Sequence, residues 1–177
     1  MPSVVAANIW ALLLDSRLGV INDLLVKMGV LTEYLAWFAN KETAMASALV
    51  VSLWRSFPFF TLLMLAGLQG IPEDYYEAAS VDGASRWDKF RFITIPMLRP
   101  VIIATVILRV IGLINSPDIL LILTGGGPGH STQVLSLYAF QTAYLDFDFG
   151  YAGALSVVMF VILMIFTVLY IRVTGGV

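Results

Sequence analysis

Three long apolar runs decide what this chain can fold into. Ala44 to Leu68 is a 25-residue run with one charge, Arg55. Pro100 to Leu123 is a 24-residue run with two, Arg109 and Asp118, and Gly150 to Ile171 is uncharged over 22 residues. A helix rises ~1.5 Å per residue, so about 20 residues cross the hydrocarbon core of a bilayer and each run is long enough. The runs are continuous rather than alternating, which is the pattern of helices and not of a membrane β-barrel. An all-α membrane protein follows. The composition agrees: 59% hydrophobic and 12% charged residues lie well outside the range of a soluble domain.

The runs divide the chain into a partial span at 2–14, an external segment at 15–42, a span at 44–68 and a polar loop at 69–99. A span at 100–123, an external loop at 124–149 and a span at 150–172 complete it, all within one membrane domain over 1–177. The first segment is too short to cross, and no basic stretch precedes it as in a signal peptide. It reads as the end of a helix that begins earlier; a re-entrant or interfacial helix is the alternative. In the external segment, Leu24, Leu25, Met28 and Leu31 recur at helical spacing, and Trp37 and Phe38 suit a membrane–water interface. Pro58 should kink the second segment. Thr124 to Gly129, with four glycines and Pro128, ends the third, and a short helix is expected over Val134–Thr142.

Several function classes lack raw material. There is no cysteine for disulfides or thiolate metal sites, and His130 is the sole histidine. A net charge of −2 gives no footprint for nucleic acid. Orientation follows from Lys and Arg. Arg86, Lys89, Arg91, Arg99 and Arg172 fall on one side, against Arg17, Lys27 and Lys41 on the other. That bias puts the 69–99 loop and the C-terminus, Val177, in the cytoplasm, with Gly126 and Asp146 outside.

The 69–99 loop concentrates the solvated chemistry, holding nine of the 22 charged residues. Pro72, Glu73 and Asp74 suit a first helical turn, the carboxylates lying at the positive end of the dipole. Gly83 should end this helix in a left-handed cap. A second short helix is expected from Ala84 to about Phe92, with Pro96 and Pro100 bracketing the return to the membrane. Ala78 and Ala79 leave a surface without bulk, and Tyr75, Tyr76, Trp87 and Phe90 offer apolar area for docking. An ordinary interfacial loop with its aromatics at the headgroups is the alternative.

Glu77-Ala78-Ala79, three residues, Gly83, nine residues, Ile93, one residue, then Ile95-Pro96 resembles the EAA signature of permease subunits in ABC importers. The pattern EAA-x3-G-x9-I-x-L-P is met except for Ile95 in place of Leu. Further matches run in order: Trp54 and Pro58-Phe59, Ala66 to Gln69, Asp82 to Ser85, Thr124 to Pro128, and Gly150 to Ser156. Together they resemble the carbohydrate-importer permeases of the MalF and UgpA type over nearly the whole chain. The resemblance implies the C-terminal part of an ABC-importer-type helix bundle, about three full spans plus a partial one, with a cytoplasmic coupling loop. It also implies earlier helices that this chain does not contain.

The resemblance implies a role and companions. The loop would sit in a cleft of an ATP-hydrolysing subunit and carry its closure to the bundle, through Glu77, Ala78, Ala79, Asp82, Gly83, Ile93 and Pro96. The partners implied are a dimer of ATP-binding-cassette ATPase subunits, a second homologous permease, an extracytoplasmic solute-binding protein and the lipid membrane. No cofactor is expected on this chain. It has no Gly-rich phosphate loop with Lys-Ser/Thr, so ATP belongs to the partner. Sugar or oligosaccharide import is the function implied; another solute such as a glycerol phosphate, or a truncated non-transporting remnant, is the alternative. An intramembrane enzyme lacks a nucleophile–base pair in the spans.

Polar and ionisable groups inside a span are costly and usually face a bundle interior or a watery path. Arg55, Asn115, Ser116 and Asp118 are therefore candidates for the substrate pathway. Asn115 and Ser116, just before Pro117, suit hydrogen bonding to sugar hydroxyls, with helix–helix hydrogen bonding as the alternative. For Asp118 the alternative is a position at the interface. On a helical wheel Asp118 and Arg109 fall on opposite faces of one span.

Overall fold

The computed structural model describes residues 1–175, so the expectation for Val177 lies outside the described residues. Nine α-helices and one π-helical turn appear among them. They are α1 (Ser3–Leu13), α2 (Val20–Lys27), α3 (Lys41–Gln69), α4 (Asp74–Val81) and α5 (Arg86–Lys89), followed by the π turn Phe90–Thr94. After it come α6 (Ile95–Asn115), α7 (Asp118–Leu123), α8 (Leu135–Tyr144) and α9 (Phe149–Thr174). Three stretches are long and apolar enough to cross a membrane: Lys41–Gln69, Arg86–Asn115 and Phe149–Thr174.

Two sequence expectations need correction. The second loop helix is not separate, because α5, the π turn and α6 run on as a single helix from Arg86. Pro96 and Pro100 therefore lie inside the helix rather than bracketing it. Pro96 has no N–H to donate one turn back, and the π turn before it already re-registers the ladder, with Ile95 N–H bonding to Phe90 C=O. The span expected at 100–123 is likewise broken after Asn115, and α7 restarts at Asp118 with Pro117 as its cap. Arg109 and Asp118 thus belong to different helices, and a shared wheel does not relate them. A smaller shift concerns Pro72, which precedes α4 rather than opening it; Glu73 is the cap.

The chain packs as two compact units. The first comprises residues 1–56 and 113–162. Its core is small: Ala6, Ala7, Val51 and Ile119 are buried, with Trp10 and Leu123 packed against them. Two alanines let α1 approach its neighbours closely, and Trp10 meets Trp54 edge-on at 5.8 Å. Asn22 organises the external segment from a fully buried position. Its Nδ2 donates to the carbonyls of Asp15 and Leu35, and its Oδ1 accepts from Leu35 N–H and Trp37 Nε1. Nearby, the Leu18 and Arg17 amides donate to the Asp15 carboxylate and hold its pKa below the usual value.

The glycine-rich turn after α7 is closed by its own side chains. Gly125, Gly126 and Gly129 all take positive φ. Thr132 is buried, donates to Gly127 C=O at 2.8 Å, and its Oγ1 lies at hydrogen-bond distance, 2.6 Å, from Thr124 Oγ1. Gln141 Nε2 donates to Gly125 C=O at 2.9 Å, which fixes α8 against the turn.

The second unit comprises residues 57–112 together with the chain from 163 onwards. Gly67 is its tightest point. A Cβ there would lie 2.8 Å from Leu98 Cδ2 and 3.1–3.2 Å from the Val101 methyls, so α3 and α6 meet through a missing side chain. The Arg99 guanidinium donates to Thr174 C=O at the end of α9. That meets an orphan helical carbonyl with a cation at the negative end of the dipole.

Candidate functional site

The Glu77 segment forms a helical hairpin. Helix α4 ends in a Schellman cap: Ala84 N–H bonds to Ala79 C=O at 2.9 Å, and Gly83 N–H to Ser80 C=O at 3.1 Å. Gly83 sits at φ +79°, where glycine carries no Cβ penalty. Ser85 then starts α5 with a capping box, its Oγ accepting from Asp88 N–H while Asp88 Oδ2 accepts from Ser85 N–H at 3.0 Å. Two contacts pin the arms together. Tyr76 Oη and Thr94 Oγ1 lie 2.9 Å apart, and Lys89 Nζ donates to Ser80 Oγ.

What the hairpin leaves outside is distinctive. No residue of α4 is buried. Glu77, Ala78, Asp82, Gly83 and Pro96 are exposed, and Ala79 and Ile93 are partly so. Among the described residues, the Glu77 carboxylate has no hydrogen-bond or ion-pair partner. Tyr75, Trp87, Phe90 and Phe92 also face outward, and the Trp87 and Phe90 rings pack against each other at 5.5 Å. The hairpin is thus fixed internally while its acid, its alanines and its aromatics remain unsatisfied.

The intramembrane candidates separate into two places. Arg55 and Asp118 are brought together by a residue the sequence reading missed. Ser3 Oγ accepts from Arg55 Nη1 at 2.8 Å and donates to Asp118 Oδ2 at 2.9 Å. The relay joins α1, α3 and α7 within the first unit. The available signal was two opposite charges in separate spans, each needing a partner; nothing local marked Ser3. Asn115 lies elsewhere, at the wall of a groove of about 360 Å³ formed by the end of α6, α8 and the start of α9. Ser116 is exposed but does not line that groove.

The chain belongs to the family of binding-protein-dependent transport system inner membrane components, whose pattern matches residues 1–174. The trehalose/maltose transport system permease protein MalF of Thermococcus litoralis is 40% identical over 173 residues, covering 98% of this chain and 58% of that protein. The sulfoquinovosyl glycerol transport system permease protein SmoG of Agrobacterium fabrum is also 40% identical over 173 residues, covering 98% and 56%. This chain therefore spans under three fifths of the length of these relatives. A bacterial ABC transporter that imports the acidic polysaccharide alginate shares the fold, with a TM-score of 0.85 at 21% identity. That match covers 98% of this chain and 60% of the other. The family first indicated by the Glu77 pattern is thus the family of the chain.

Proposed function

We propose that this chain acts as the membrane-spanning permease part of an ATP-driven, binding-protein-dependent importer of sugars or oligosaccharides. The observation that carries the reading is the Glu77 hairpin: an unpartnered carboxylate beside two alanines, on a helix with no buried residue, closed by a left-handed glycine. A groove on an ATPase subunit can approach the backbone at Ala78 and Ala79, offer a donor to Glu77 and cover the exposed aromatic rings. Tyr76–Thr94 and Lys89–Ser80 make the hairpin stiff, and α5 continues into α6 without a break. Motion imposed on the hairpin is therefore transmitted to a spanning helix rather than lost in a loop.

In this reading ATP hydrolysis occurs on paired partner ATPases, and this chain performs no covalent chemistry. A second permease completes the path, and an external binding protein delivers solute. Asn115 supplies a neutral hydrogen-bonding group to the path, with Ser116 beside it. Arg55 and Asp118, tied through Ser3, hold the broken helix in place near that path. The relatives support sugars: one named for trehalose and maltose, another for a sugar glycoside. Reconstitution of the full-length permease with its ATPase and binding protein tests the proposal. ATP-dependent sugar uptake that disappears with Glu77→Lys, without loss of membrane insertion, is the expected result; unchanged uptake contradicts it.

A further inference from the structure

We propose that α2 is a membrane-surface anchor, its apolar edge seated among lipid acyl chains at the boundary where α1 ends and α3 begins. Val20, Leu24 and Met28 stand four residues apart, and Met28 keeps helical backbone as the C-cap, so the three fall along one edge of the helix. Each is more than half exposed, as are Leu18 just before the helix and Val30 just after it. Asn22, Leu25 and Val26 take the other side; Asn22 is fully buried there and the two aliphatics partly so. Scattered surface leucines need no explanation, but an aligned apolar edge marks a contact surface.

Height and charge decide what covers that edge. Asn22 Nδ2 donates to the carbonyl of Asp15, two residues past the end of α1, and to that of Leu35. Its Oδ1 accepts from Leu35 N–H and from Trp37 Nε1, four residues before α3 opens with Lys41 and Glu42. A helix fastened this close to the charged mouth of a membrane-length helix lies at headgroup level, where a tryptophan such as Trp37 is at home. Interfacial helices at that level sink an apolar edge ~5–10 Å into the headgroup–acyl boundary. Charge offers no competing attraction. Between α1 and α3 stand Asp15, Asp23 and Glu33 against Arg17 and Lys27, and Lys27 is already bonded to Asp23 at 2.7 Å. That leaves no basic cluster for an anionic headgroup or an acidic protein surface, so apolar burial drives the contact and hydrocarbon is the partner within reach. The anchor then fixes the depth of the Asn22 junction, and with it the adjoining ends of α1 and α3.

The test uses the full-length permease in a cysteine-free background, assembled with its partner subunits in phosphatidylcholine vesicles. A nitrobenzoxadiazole label is attached at Leu24→Cys, at Met28→Cys or, about 100° round the helix from Leu24, at Asp23→Cys. The first two replace exposed side chains, so folding is not at stake, and assembly of each labelled complex is checked by gel filtration. Lipid carrying a doxyl quencher near the head of its acyl chain should quench the Leu24→Cys and Met28→Cys labels several-fold more than the Asp23→Cys label. Adding phosphatidylglycerol should leave that ratio unchanged. Efficient quenching of all three labels by aqueous iodide, with little by the lipid, places the edge in water and overturns the proposal. Weak quenching by both agents at Leu24→Cys and Met28→Cys means that protein covers the edge, whether the second permease, the binding protein or another segment of the full-length permease, and overturns it too. Lipid quenching that appears only with phosphatidylglycerol assigns the contact to headgroup charge and overturns the apolar anchor.

Discussion

Ser3→Ala deletes a single oxygen, yet it cuts both links between Arg55 and Asp118. Hydrogen bonds to charged groups contribute about 1.5–3 kcal/mol in soluble proteins, whereas interhelical bonds in membranes average about 0.6 and reach about 1.7. Two bonds among three half-buried side chains put the cost of Ser3→Ala at roughly 1–3 kcal/mol. Arg55→Gln and Asp118→Asn probe a separate contribution. Joined through one oxygen, the two charges lie within ~6 Å, where an effective dielectric of ~20 gives about 3 kcal/mol of attraction. Either single variant strands the opposite charge, while the double variant strands none. The double should therefore lose less stability than the sum of the singles, with a coupling of about 1–3 kcal/mol. Unfolding of the purified chain by sodium dodecyl sulfate in mixed micelles, followed by circular dichroism, measures all four proteins. Additivity within about 0.5 kcal/mol would refute the relay.

Other expectations follow from single positions. Gly67→Ala should destabilise the protein by about 1–3 kcal/mol, because the new methyl meets Leu98 and the stiff, branched Val101; thermal unfolding in detergent measures it, and an unchanged midpoint contradicts the close α3–α6 approach. Gly83→Ala meets no atom within 4 Å, so only its positive φ should cost, about 1 kcal/mol, and Gly83→Asn should cost less; equal losses in the same assay would deny the left-handed cap. For topology, a cysteine replacing Ser85 should react with an impermeant maleimide only after cells are opened, and one replacing Asp146 should react in intact cells; the reverse pattern inverts the orientation.

The spans were legible because continuous apolar stretches of membrane length have few other uses. The cap at Gly83 was legible for a similar reason, since a glycine after a polar helical run has a defined conformational role. The joins between elements were not. Pro96 and Pro100 read as helix ends, but the helix runs through both; the π turn at Phe90–Thr94 re-registers the ladder just before Pro96, and no sequence pattern announces such a turn. Pro117 had the opposite outcome and did break its helix, two residues after an amide that was read as sitting inside one span. The pairing of Arg55 with Asp118 depends on Ser3, more than fifty residues from either, and only the packed helices reveal it. The groove combines Asn115 with residues of α8 and α9, which the sequence reads as a short external helix and a separate span. Its existence is a matter of tertiary packing, not of periodicity.

The central claim is that force enters this chain through the Glu77 hairpin. In the full-length permease assembled with its ATPase and binding protein, the direct measurement is ATP hydrolysis stimulated by sugar-loaded binding protein, compared between the unmodified complex and Glu77→Lys. Stimulation should vanish in the variant, because a cation replaces the unpartnered carboxylate that stands beside the two alanines. Stimulation at the unmodified level, in a variant shown to carry its full complement of ATPase, would mean that the hairpin does not couple the two.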